Sequence, residues 1–189
     1  AVAWLLARTR FPGRVLLDGL VHLPLVLPPV VMGYLLLVSL GTNAPVGGWL
    51  LETFGIRFVF SWTGAALAAA IVSFPFQVRA IRLAMEAIDP GLDAAARTLG
   101  AGPLAMPGII AGSITAFAAS LGEFGAIITF VSNIPGETRT LPLAIYTAIQ
   151  SPGGEAAAAR LAGLAIALAL AGLILSEAAA RRVRSLSGS

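Results

Sequence analysis

The sequence predicts an all-α protein that crosses a membrane several times as a bundle of transmembrane helices. Of its 189 residues, 58% are hydrophobic and only 11% are charged, and the mean hydropathy is +0.91, whereas a soluble domain is usually about 25% charged. Apolar runs of about 20 residues, the length that spans a bilayer, recur along the chain. Basic residues cluster near the ends of these runs, as in membrane proteins. The length fits one transmembrane domain, residues 1–189.

Four apolar segments are long enough to cross a bilayer. We predict these spans at Leu20–Leu40, Gly64–Met85, Gly108–Ser132 and Ala156–Ala180. Prolines within the first two segments predict kinks, because each proline removes a helix donor. The shorter apolar stretch Leu143–Ile149 predicts an interfacial or re-entrant helix.

The distribution of arginine predicts the orientation of these spans. All twelve basic residues are arginine. If the polar segment at about 86–106 is cytoplasmic, nine arginines fall inside and three outside, which satisfies the positive-inside rule. This polar segment and the C-terminus are therefore expected in the cytoplasm. The three outer arginines are Arg57, Arg139 and Arg160.

The residue types needed for most enzyme chemistry are missing from the sequence. There is no cysteine, which excludes disulfides, thiolate metal sites and a cysteine nucleophile. His22 is the only histidine, so neither a catalytic triad nor a paired-histidine metal site can be assembled. Gly100 and Gly102 do not follow a strand, so a nucleotide-binding loop is not indicated. We predict no catalytic residues, no metal, no cofactor and no nucleic-acid partner. An intramembrane enzyme using Ser120 or Glu123 stays a disfavoured alternative.

A single acid within an apolar span is the clearest candidate for a role in translocation. Glu123 lies in the sequence SLGEFG, and a charge near the bilayer centre costs roughly 2.5–3.5 kcal/mol on insertion scales. Gly122 and Gly125 flank it and either open the helix or admit a close neighbour. Two interpretations stay open: a gating role, or a packing acid that is neutral or paired with an outer arginine. We take Ser120, Gly122, Glu123 and Gly125 as translocation-helix candidates.

The polar segment between the second and third spans carries a recognisable motif. Asp89-Pro90 suits a helix start, Asp93 is followed by Ala94, Ala95 and Ala96, and Gly100 suits a helix end. These features also fit an ordinary surface helix that binds no partner. The small-residue face of the segment is also typical of a helix that docks into a groove on a partner.

The chain resembles the molybdate permeases of ABC importers. Asp93, Ala94, Ala95, Ala96 and Gly100 resemble the EAA coupling loop of that family, SLGEFG is shared with wider anion permeases, and NIPGETRTLPLAIY with PGGE is more specific for molybdate. The resemblance implies a multi-pass inner-membrane permease that docks cytoplasmic ABC ATPase subunits through those five residues. It also implies a homodimer in the lipid bilayer and an extracytoplasmic molybdate-binding protein, with ATP hydrolysed by the partner. A sulfate or thiosulfate permease and a non-transporting structural membrane protein are the alternatives.

The chain departs from the family pattern at two places. Only six residues separate Gly100 from Pro107, fewer than the resemblance implies. Residues 1–8 have the composition of the end of an apolar helix, so we expect a truncated first helix. Both departures predict weak ATPase docking by the chain as it stands.

Overall fold

The structure is a computed structural model, and it describes residues 1–87 and 106–187. Within these ranges the chain is α-helical and contains no strand. The helices are α1 Val2–Arg8, α2 Arg14–Val26, α3 Pro29–Leu40, α4 Pro45–Phe54, α5 Trp62–Glu86, α6 Met106–Leu121, α7 Gly125–Val131, α8 Leu141–Gln150 and α9 Glu155–Ser187. The predicted fold class is confirmed.

Two helices have the length and apolar composition of a straight membrane span. They are α5, over its whole length, and α9, over Glu155–Leu175. Ser61 caps the start of α5, where its hydroxyl accepts a hydrogen bond from the Gly64 N–H. Pro75 lies within α5, yet the helix continues on both sides of it. The second and fourth predicted spans therefore form as expected.

The other two predicted spans are each divided into two helices by a bend. The prolines of the first span predicted a kink there, and the glycines beside Glu123 allowed an opened helix in the third. α2 and α3 meet at 115°, and Ile109–Leu121 meets α7 at 61°. The first break coincides with Pro28-Pro29, where proline removes backbone donors and disfavours helix at the preceding residue. The second break contains Gly122, Glu123 and Phe124. The described ranges thus hold up to four spans if each bent pair counts as one.

The short helix α7 lies at the centre of the molecule. Ala126, Ile127, Phe130 and Val131 are all at most 2% exposed. They pack with Met32 and Leu36 of α3, Ala65 and Ala68 of α5, and Leu143 of α8. In contrast, α9 lies at the periphery, where most of its apolar side chains are exposed. The helix that follows the break at Glu123 therefore lies in the centre of the hydrophobic core.

The remaining helices pack around this core. α5 lies against α6, and Gln77 donates a hydrogen bond to the Ile109 carbonyl across that contact. α8 is the helix that the apolar stretch Leu143–Ile149 predicts, and it lies against α9. α1 packs on α5 through a small second cluster of Ala3, Leu6 and Val78.

Candidate functional site

The candidate site is the junction between α6 and α7, because it holds a buried carboxylate at a break in a span. Glu123 is 7% exposed, and its Oε1 accepts a hydrogen bond of 2.8 Å from the backbone N–H of Ala126. The carboxylate thereby satisfies an amide in the first turn of α7, which has no intrahelical acceptor. Negative charge also complements the positive end of a helix. Glu123 thus stabilises the start of the new helix, two residues before its first residue.

The four translocation-helix candidates do not all lie within a helix. Ser120 is in the last turn of α6, where its hydroxyl donates to the Phe117 carbonyl. Gly122 and Glu123 lie in the break itself, and Gly125 is the first residue of α7. The helix is therefore interrupted at Glu123. An opened helix is one of the two outcomes that the flanking glycines Gly122 and Gly125 allow.

Gly125 and Gly33 bring α7 and α3 into very close contact. A Cβ at Gly125 would lie 2.8 Å from the Pro29 Cβ and 3.1 Å from the Val30 nitrogen. A Cβ at Gly33 would lie 2.6 Å from the Ala126 carbonyl oxygen and 2.8 Å from the Thr129 Cβ. Small residues permit this approach of two backbones within a membrane bundle. We call this contact the glycine crossing; it joins the second halves of the two bent spans.

An apolar cavity of about 330 Å³ adjoins the break. It lies between α6, α8 and α9, and its lining includes Leu121, Gly122, Pro142, Ile145 and Ala169. None of the lining side chains can donate a hydrogen bond. An oxyanion is held in proteins by donors and positive charge, so this cavity is not suited to hold one.

The turn after α7 is built by a polar network that our sequence reasoning did not anticipate. The hydroxyl of Thr138, which is 2% exposed, donates to the Ser132 carbonyl and accepts from the Ile134 N–H, both at 2.9 Å. Asn133 joins Arg139 to Thr147 through its side-chain amide. The residues of this network belong to, or directly flank, the motif NIPGETRTLPLAIY, so the motif positions α8 relative to α7.

This network gives a prediction with a matched control. Thr138→Val leaves the Ile134 N–H and the Ser132 carbonyl without their partner, which costs about 1–3 kcal/mol for a buried group, whereas Thr138→Ser retains the hydroxyl. The hydroxyl of nearby Thr140 is buried without a partner among the described residues, so Thr140→Val should be neutral or stabilising. Thermal unfolding in detergent measures all three variants. Equal loss of stability for Thr138→Val and Thr140→Val would contradict the role of the network.

A second polar cluster lies at the other end of the molecule and was also missed. Arg82 of α5 bonds Asp18 of α2 and Glu86 of its own helix, and His22 lies beside Asp18. The sequence distinguishes Arg82 only as one of the nine arginines expected on the cytoplasmic side. Asp18 and His22 are four residues apart, so both lie on one face of a helix. This spacing is the sequence signal for the cluster.

The predicted ATPase-docking residues lie outside the described residues. Asp93, Ala94, Ala95, Ala96 and Gly100 all fall between residues 88 and 105, which the structure does not describe. α5 ends at Glu86 and α6 begins at Met106, so the two ends of this segment are fixed by helices that pack on each other.

Comparison with known proteins identifies the family. No protein-family model matches the chain. The chain is 61% identical over 196 residues to the molybdenum transport system permease protein ModB of Escherichia coli (strain K12), with 98% of this chain and 86% of the relative covered. It is 55% identical to ModB of Haemophilus influenzae, with 99% and 86% covered.

A sulfate permease is a more distant relative. The sulfate transport system permease protein CysT of Escherichia coli (strain K12) is 39% identical, with 84% of this chain and 60% of the relative covered. The alignment to ModB of Escherichia coli has 196 positions, more than the 189 residues of this chain, so the relative has residues without a counterpart here. With this identity over nearly its whole length and with its apolar bent spans, the chain belongs to the family of molybdenum transport system permeases.

Proposed function

We propose that this protein is the membrane-spanning subunit of an ATP-driven importer of molybdate, and of the similar oxyanion tungstate. The observation that carries the proposal is the 61% identity to a molybdenum permease over 98% of the chain, against 39% to a sulfate permease. The protein forms no covalent bond with its substrate. ATP hydrolysis belongs to a partner ATPase, since the sequence offers no nucleotide-binding loop.

The bent spans support a role in alternating access. Discontinuous helices at the centre of a bundle are the elements that transporters use around their pathway. Here the glycine crossing keeps α3 and α7 in contact, so the two half-helices move together. The breaks at Pro28-Pro29 and at Gly122–Phe124 provide the bends about which they move relative to α2 and α6.

Glu123 supports this movement and does not bind the substrate. Its Oε1 is committed to the Ala126 N–H, and a carboxylate repels an anion. Selection of molybdate belongs mainly to an extracytoplasmic binding protein that delivers it to the permease. Glu123 keeps α7 capped while the helices around it move.

Uptake of molybdate tests the proposed function directly. We expect the protein, completed to the length of its molybdenum permease relatives and expressed with its ATPase and binding protein, to restore molybdate accumulation in a bacterium whose own molybdenum permease gene is deleted. Excess tungstate should suppress the uptake, and excess sulfate should not. Cellular molybdenum measured by mass spectrometry gives the readout. Suppression by sulfate alone would indicate a sulfate permease, and no uptake of either anion would indicate a structural membrane protein.

The proposed partners assemble on opposite sides of the membrane. Two copies of the permease form the pathway at their interface, two ATPase subunits bind in the cytoplasm, and the binding protein docks outside. The nine arginines on one side of the predicted spans support cytoplasmic placement of the segment 88–105 and of the C-terminus.

Labelling of a single cysteine tests the orientation and the ATPase dock together. The chain has no native cysteine, so Ala95→Cys provides a unique thiol. We expect an impermeant maleimide to label it in inside-out vesicles but not in intact cells, and we expect bound ATPase to protect it. Glu52→Cys, in exposed α4, should show the reverse sidedness and no protection. Labelling of Ala95→Cys from outside intact cells would overturn the predicted orientation. Equal labelling with and without bound ATPase would overturn the predicted docking of the ATPase on this segment.

A further inference from the structure

The polar cluster between α2 and α5 has no role in the site described above. It lines a cavity of about 260 Å³, far along the chain from Glu123. The residues around this cavity are Asp18, His22, Arg79, Arg82, Leu83 and Glu86. We call Asp18, Arg82 and Glu86 the ion cluster.

Arg82 is the centre of the ion cluster. One terminal nitrogen, Nη1, donates to both carboxylate oxygens of Asp18, at 3.0 and 3.1 Å. Its Nε donates to the Glu86 Oε1 at 2.8 Å. The Arg82 side chain is 25% exposed and the Asp18 side chain 37% exposed. The pair with Asp18 joins two helices, whereas the pair with Glu86 lies within α5.

The two arms of the cluster therefore differ in what they hold together. An exposed pair four residues apart on one helix contributes only about 0.3–0.5 kcal/mol and constrains no second element. The arm to Asp18 instead links α2 to the last turns of α5. His22 lies beside this arm. The His22 Nδ1 is 2.9 Å from the backbone carbonyl oxygen of Asp18 and 3.2 Å from the Oδ1 of the Asp18 carboxylate.

The position of the interhelical arm connects two parts of the protein that the proposed function requires to move together. α5 ends four residues after Arg82, and the chain then enters the segment 88–105. α2 leads through the 115° bend into α3, which contacts α7 at the glycine crossing. Arg8, at the end of α1, also donates to the carbonyl of Met85 at 3.1 Å. Side chains from α1 and α2 thus hold the end of α5.

We propose that Arg82 and Asp18 are positioning residues that transmit movement of the ATPase-docking segment to the bent spans. This proposal rests on the proposed transport function. Movement of the end of α5 displaces α2 through the salt bridge. Because α2 is joined to α3 at the bend, this displacement makes α3 and α7 swing about it. Without the bridge, α5 is linked to the bent spans mainly by packing, such as that of Ala65 and Ala68 near its other end. Less of the movement then reaches the bent spans, so more ATP is hydrolysed for each molybdate imported.

The test uses the complete complex of permease, ATPase and binding protein in proteoliposomes. We expect Asp18→Asn and Arg82→Gln to raise the ATP hydrolysed per molybdate imported by at least about fivefold, the lower end of typical coupling between two sites. Glu86→Gln, which removes only the intrahelical arm, should leave this ratio unchanged. Arg181→Gln, which removes the exposed pair with Glu177 on α9, is a second control. Asp18→Glu should retain most of the coupling.

A merely structural role gives a different result. In that case Asp18→Asn lowers thermal stability and the yield of complex, while each assembled complex keeps the wild-type ratio of ATP to molybdate. An unchanged ratio in both Asp18→Asn and Arg82→Gln would overturn the proposal.

A readout without substrate separates this proposal from the proposed function. A single Ser39→Cys at the exposed outer end of α3 reports movement of that helix through its rate of maleimide labelling. We expect ATP binding to the partner to change this rate, and Asp18→Asn to reduce the change. If the complex imports no molybdate but this response is present and depends on Asp18, the substrate assignment fails and the link stands. A response that is undiminished in Asp18→Asn would overturn the link.

Discussion

Replacing Gly33 by alanine is expected to disrupt the core of this permease and to abolish transport. The new Cβ would lie 2.6 Å from the Ala126 carbonyl oxygen and 2.8 Å from the Thr129 Cβ. The first of these is a backbone atom of Ala126, which is fully buried, so it cannot rotate away as a flexible side chain would. Overpacking of this kind costs about 1–3 kcal/mol or more, and here it separates α3 from α7.

A second glycine in the same bent span provides the control for this substitution. Gly19 lies within α2, and no atom lies within 4 Å of the position that an added Cβ would take. Gly19→Ala should therefore stabilise the protein by about 0.5–1 kcal/mol, because alanine loses less conformational entropy than glycine in a helix. Thermal unfolding in detergent and molybdate uptake measure both variants.

The two variants should move in opposite directions. Wild-type stability and uptake in Gly33→Ala would mean that α3 and α7 do not cross as closely as the structure has them. Gly125→Ala should resemble Gly33→Ala, because its Cβ would meet Pro29 and the Val30 nitrogen on the other side of the same crossing.

Replacing Glu123 by leucine is expected to cause the second large loss. Leucine leaves the Ala126 N–H unpaired in a site that is 7% exposed, and an unsatisfied buried donor costs about 1–3 kcal/mol. It also removes the negative charge from the start of α7. We expect less folded protein in the membrane and strongly reduced transport.

The conservative replacement separates hydrogen bonding from charge. Glu123→Gln keeps a carbonyl oxygen that can accept from Ala126, so it should retain most of the folded protein. If Gln also retains transport, the role of Glu123 is to cap α7; if it is folded but inactive, the charge itself is needed. Glu137→Leu, at an exposed acid in the following turn, is the control. Near-wild-type transport by both Glu123→Gln and Glu123→Leu would show that the acid has no role.

Much of the architecture could be predicted from the sequence because it depends on composition along single segments. A bilayer has no water to satisfy backbone groups, so long apolar runs must be helices. Trp62–Glu86 and Glu155–Leu175 follow from this constraint alone. The family resemblance likewise rests on local motifs, and the 61% identity to a molybdenum permease confirms it.

Hydropathy did not predict the breaks in the other two spans. Apolar content is high on both sides of Pro28-Pro29 and of Gly122–Phe124. Hydropathy averaged over about 20 residues therefore predicts one span across each break. The prolines and glycines indicated that a kink was possible. The size of each bend depends on what packs against it, and here α3 and α7 lie so that Gly33 faces Ala126 and Gly125 faces Pro29.

The sequence by itself determined that this protein is a helical membrane permease of the molybdenum transport family, and it singled out Glu123 with its flanking glycines. Only the tertiary structure decided what these residues contact. Glu123 caps α7 rather than pairing with an arginine in the part of the chain that the structure describes, and Arg82 bonds Asp18, 64 residues away. The physical reason is that periodicity and composition report on one helix at a time, whereas a cap across a break or a salt bridge between helices depends on how separate segments are placed in space.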